Sequence, residues 1–97
     1  MLFKSEIISK AVLTVNNRIK ELDKDKVASL QKNATIEPDE VFAYQSAQSR
    51  AFTEQKISKI DAQWLYNMLS GFNSKPLADR IVALEFIVVI VKGQRGL

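Results

Sequence analysis

The sequence contains no cysteine and no histidine. The first absence excludes disulfides, thiolate metal sites and cysteine nucleophiles. The second removes the commonest metal ligand and the side chain that titrates nearest neutral pH. A hydrolase triad would lack its usual base, which leaves carboxylate pairs, lysine or tyrosine for that role, and no catalytic residue is assigned. Glycine and proline are scarce, at three and two residues. No P-loop, EF-hand spacing or G-x-G-x-x-G occurs, and the lone G-x-x-G, Gly93 to Gly96, sits in the short tail KGQRGL. No cofactor, metal or small-molecule ligand is therefore expected. Internal repeats and low-complexity segments are absent too.

Long hydrophobic runs are also missing. The most apolar stretch, IVALEFIVVIV at 81–91, has eleven residues, one of them Glu85. As a helix it would reach about 16 Å, against about 30 Å of bilayer hydrocarbon, so no membrane span is expected. In the opening MLFKSEIISKAVL, Lys4, Glu6 and Lys10 interrupt the apolar residues, which argues against a secretory signal. A soluble, cytoplasmic protein is the expectation.

What is present suits one globular domain over residues 1–97: 46% of the residues are hydrophobic and 26% charged. The net charge of +3 is unevenly spread. Residues 1–32 carry seven basic and four acidic side chains, whereas 33–54 carry Arg50 against four acids.

The hydrophobic periodicity is helical. Ile8, Val12, Val15, Ile19 and Leu22 follow at spacings of 4, 3, 4 and 3, behind Ser5 as N-cap. Pro38 fits a first helical turn, with Glu37, Asp39 and Glu40 at the positive end of the dipole. The following stripe, Val41, Tyr44, Gln48, Ala51 and Phe52, is thin, so this helix is expected to be the least buried. Ser58 and Asp61 form an S-x-x-D start, and Ile57, Ile60, Trp64, Leu65, Met68 and Leu69 share a broad apolar face. Gly71 closes that helix with Phe72 folded back, and Ser74 and Pro76 open the last one. The expected fold is all-α, a small four-helix bundle-like domain with helices near 4–22, 38–52, 58–70 and 75–92. It allows a short extra helical turn at 26–33 and a flexible tail at 93–97.

Residues 81–91 also read as a strand, since 87–91 are all β-branched. Helix signals on both flanks and the lack of a partner strand favour a helix. Placed at 100° intervals, Leu77, Ile81, Leu84, Val88 and Val91 form the expected core face. Val82, Phe86, Val89 and Ile90 lie opposite, so the helix ends apolar all round and needs cover on both sides. Either it is central to the domain, or its second face meets a partner. Four exposed side chains of this kind forgo roughly 6–8 kcal/mol of burial. The leading expectation is therefore a small non-catalytic assembly module, a homodimer or a partner of another protein. Its interaction residues would be Val82, Phe86, Val89 and Ile90, edged by Glu85 and Arg80. The alternative is a nucleic-acid-binding accessory protein using Lys10, Arg18, Lys20, Lys24 and Lys26 on phosphates.

Overall fold

The computed structural model describes residues 5–94 and the side chains of 5–90. It contains five α-helices and, among the described residues, no strand: α1 (Glu6–Lys20), α2 (Lys24–Asn33), α3 (Pro38–Thr53), α4 (Lys59–Leu69) and α5 (Leu77–Gln94). A 3-10 turn, Phe72–Ser74, joins α4 to α5. The small all-α expectation holds, with one more helix than expected. No helix among the described residues is long and apolar enough to cross a membrane.

Local chemistry explains the helix starts. Ser5 Oγ accepts from the Ile8 amide (3.2 Å) and Asp23 Oδ1 from the Lys26 amide (2.9 Å). The second cap turns the extra turn expected at 26–33 into a separate ten-residue helix. Pro38 occupies the first turn of α3. Gly71, at φ +63° and ψ +37°, takes the left-handed conformation that ends α4, and Phe72 beyond it is buried. Ser74 belongs to the 3-10 turn and does not cap α5, which starts later than expected, at Leu77. Nor does Gly93 stop α5: the helix includes Gly93 and Gln94, while 95–97 of the expected tail lie outside the described residues.

The α3–α4 connection has no glycine yet makes a turn of the same hand. Gln55 sits at φ +60°. The Lys56 amide donates to the Ala51 carbonyl (2.8 Å) and the Gln55 amide to Phe52 (3.0 Å). This pair of bonds is the Schellman motif, here built on a residue whose Cβ is strained in that region.

Helix α5 is the centre of the fold. It packs against α1, α3 and α4, and α3 also packs on α4. Its buried or half-buried side chains in the later turns are Val82, Ala83, Leu84, Phe86, Ile87 and Ile90. At 100° per residue they span an arc of about 200°, more than one neighbouring helix can cover. The core they form with Ile8, Ala51, Trp64, Leu65, Met68 and Leu69 draws on every helix except α2.

This overturns the expected orientation of α5. Val82 and Ile90, placed on an outer face by the sequence pattern, are each 5% exposed and lie inside the chain's own core. Val88, placed on the core face, is 48% exposed, and Ile81 and Leu84 are half-buried. The side chain of Val91 lies outside the described ones. A segment apolar on every side satisfies the 4-3-4-3 spacing in several phases at once, so its periodicity carries no information about which face points inward.

The order along the helix is reversed as well. Its first turn, Leu77, Ala78 and Arg80, is buried, whereas the later turns open on one side at Glu85, Val88 and Val89. The α2–α3 linker encloses that start. Ala34 and Ile36 are buried, and the Asn73 side chain both accepts from the Ile36 amide (3.0 Å) and donates to its carbonyl (3.1 Å). Helix α2 itself has no buried residue, so it, and not α3, is the least embedded.

Candidate functional site

Arg80, expected at the edge of an outer surface, is 7% exposed. Its Nη1 donates to the carbonyls of Ala34 (2.7 Å) and Gln31 (3.4 Å), and its Nε to that of Lys75 (3.0 Å). A fixed positive charge thus closes the negative end of α2 and ties that helix to the start of α5. Its role is structural, and it is withdrawn from any docking surface.

Two apolar grooves flank α4. One, of about 400 Å³, lies between α3 and α4 and is lined by Phe52, Ala62 and Tyr66 with Gln48, Lys59 and Asn67. Its buried amide is satisfied, since Gln48 Nε2 donates to the Ala62 carbonyl (3.0 Å). The other, of about 440 Å³, lies between the start of α4 and the later turns of α5. Its apolar lining is Ile57, Phe86, Val89 and Ile90, with Lys56, Ser58 and Asp61 at the polar end.

Each wall of the α4–α5 groove has a local cause. Val89 is 70% exposed because the cover of α5 ends before its later turns; Val82, two turns earlier on the same face, is 5% exposed. Phe86 is half-buried, its ring edge-on to Trp64 with centroids 6.5 Å apart and planes at 75°. Ile57 is presented by the glycine-free turn that ends α3. The Asp61 amide donates to Ser58 Oγ (3.1 Å), but the return bond of the expected S-x-x-D cap is not made. The Asp61 Oδ1 atom is instead buried without a hydrogen-bond partner, as is Trp64 Nε1 one turn later.

Of the expected interaction residues, then, Phe86, Val89 and Ile90 come together in this groove. Glu85 is exposed, and Val82 and Arg80 are consumed by the fold. Ile57 and Asp61 join the groove residues without any site signal in the sequence. In the sequence Ile57 reads as one more residue of an apolar helix face and Asp61 as part of a helix start, and no local signal places them against α5.

The chain matches no family model, no curated protein and no solved structure. Its own geometry therefore carries the functional reading.

The basic residues do not form one surface. Lys10, Arg18, Lys20, Lys24 and Lys26 are all exposed. On α1, however, Arg18 and Lys20 point about 160° apart, and so do Lys24 and Lys26 on α2. Glu21, Asp23 and Asp25 stand among them, and Lys10 pairs with Glu6 at 3.5 Å. A shallow hollow of about 390 Å³ between Leu22 and Leu30 is lined by Lys26 and Ser29. Among the described residues, no three carboxylates converge as metal ligands would.

Proposed function

We propose that this chain is a small non-catalytic interaction module that docks an apolar segment of another protein chain in the α4–α5 groove. The observation that carries this reading is Val89, 70% exposed in the wall of a concave apolar surface that Phe86 and Ile57 complete. A concave site of this kind captures one anchoring side chain with its neighbours.

A second copy pairing helix to helix along α5 has less support, because among the described side chains of that helix only Val88 and Val89 remain outside as its apolar stripe. Two valines are small beside the roughly 800 Å² per partner of a standard stable interface. Binding of nucleic acid is disfavoured by the scatter of the cations and the acids between them.

The test combines sedimentation equilibrium at tens of micromolar with an amide-shift titration by the probe acetyl-Leu-Leu-Leu-amide. The expected result is a monomer whose Ile57, Phe86 and Val89 amides shift saturably, and a Val89→Asp variant, equally helical, that does not respond. A wild-type dimer broken by Val89→Asp would make the occupant a second copy. A monomer with no response at those amides would defeat the reading.

A further inference from the structure

The groove between α3 and α4 carries a charge that the chain does not balance. Lys59 is the one formally charged residue among the described residues that line it, and it is exposed. Among the described residues it makes no ion pair. The acids nearest in sequence are engaged elsewhere. Glu54 pairs with Lys56 at 3.1 Å, and Asp61 lines the opposite groove, about 200° round α4 from Lys59.

The apolar part of the groove follows from helix periodicity. Lys59, Ala62, Gln63, Tyr66 and Asn67 succeed each other at spacings of 3, 1, 3 and 1, so they share one face of α4. Ala62 is small and buried, and Gln48 is fastened to its carbonyl, which fixes a low floor beside the exposed rings of Phe52 and Tyr66. Aromatic side chains at a concave surface are frequent anchors for protein partners. From Lys59 to Tyr66 the helix rises about 10 Å. In an extended segment, side chains two positions apart lie on one side, about 7 Å from each other, so one can reach Lys59 while the other meets the rings.

We infer that this groove receives an extended segment of a partner protein in which an aspartate or glutamate stands two positions from an aromatic residue. The aromatic ring packs over Ala62 against Phe52 and Tyr66, and the carboxylate accepts from the Lys59 ammonium. The site is separate from the α4–α5 groove, with which it shares no lining residue.

The experiment titrates the full ¹⁵N-labelled chain with acetyl-Asp-Ala-Phe-Ala-Asp-amide, which offers an acid on either side of the ring, and with its neutral counterpart carrying asparagine at both ends. The expected result is saturable shifts at the Phe52, Ala62, Gln63 and Tyr66 amides, with the acidic probe binding about threefold tighter or more. Lys59→Met should abolish that preference without changing helicity, and Lys24→Met, which removes an equal charge from α2, should keep it. Equal affinities, or a preference that survives Lys59→Met, would overturn the acid selection. Shifts at Ile57, Phe86 and Val89 in place of these four would assign the probe to the other groove and overturn this site, as would no response at all. Shifts at Phe52 and Tyr66 on diluting the unliganded chain would overturn the assignment by making a second copy the occupant.

Discussion

Replacing Arg80 by methionine keeps most of the length and packing of the side chain and removes every donor. Three carbonyls lose a partner, and one of these bonds, to Ala34 at 2.7 Å, is buried. Bonds from a charged donor contribute about 1.5–3 kcal/mol each. The 3.4 Å contact to Gln31 adds little, which leaves two strong bonds. Against them stands the cost of holding a guanidinium out of water, which methionine does not incur. The balance is a loss of about 3 kcal/mol, a large part of a small domain's stability. The loss should also be local first. Helix α2 buries no side chain of its own, so the Arg80 cap is its principal anchor. Urea denaturation followed by circular dichroism and by Trp64 fluorescence measures the global effect, and hydrogen exchange over 24–34 measures the local one. Arg80→Met should shift the midpoint to lower urea and strip exchange protection from α2 under conditions where α4 and α5 keep theirs. A variant within about 0.5 kcal/mol of wild type, with α2 protection intact, would refute the capping argument.

Two further substitutions act on the left-handed positions and should have opposite signs. Gln55→Gly relieves a strained φ of +60°, and after the added flexibility of the unfolded chain it should stabilise by about 0.5 kcal/mol. Gly71→Ala should cost about 1 kcal/mol from conformation alone, because an added Cβ meets nothing within 4 Å. Chemical denaturation of both variants checks the pair. Tyr44 provides a pH prediction: burial, then its hydrogen bond to Glu40 Oε2 (3.1 Å) and the nearby charge, hold its phenol above the ordinary tyrosine range. A raised folded-state pKa means this contribution is complete below the unfolded tyrosine value and is lost as pH rises through the folded one. Ultraviolet titration against Tyr44→Phe should show one phenol ionising late, and Glu40→Gln should bring it earlier.

The sequence was most legible where one face of a helix differs from the other. The α1 stripe of Ile8, Val12, Val15 and Ile19 and the α4 set of Trp64, Leu65, Met68 and Leu69 point inward as the spacing predicts, while Ile60, expected on the same α4 face, is 46% exposed at the first turn of that helix. On those helices, polar residues mark the outside and fix the phase. Helix α5 lacks that contrast, so its length was readable and its rotation was not. Arg80 illustrates a different limit: its partner at Ala34 is 46 residues away, and nothing near position 80 distinguishes a buried cap from a surface cation. Gln55 is a third case, since a left-handed helix ending is anticipated at glycine and here the hydrogen bonds of the turn impose it on glutamine. The groove inherits these limits. Phe86, Val89 and Ile90 stand out in the sequence as apolar, but Ile57 and Asp61 join them only through the packing of α4 on α5.

Alanine substitution at two valines on the same face of α5, two turns apart, tests most directly where the cover of that helix ends and the groove begins. Val82 is 5% exposed and Val89 70%. Truncating the first removes two buried methyl groups and leaves a cavity, a loss of about 2 kcal/mol. Truncating the second exposes nothing new and places a better helix former on an open face, a gain of up to about 0.5 kcal/mol. Measured side by side in urea, Val82→Ala should unfold well before wild type and Val89→Ala with it or slightly later. Equal losses at both sites, or the larger loss at Val89, would mean that the later turns of α5 are covered and that the groove is not where we place it.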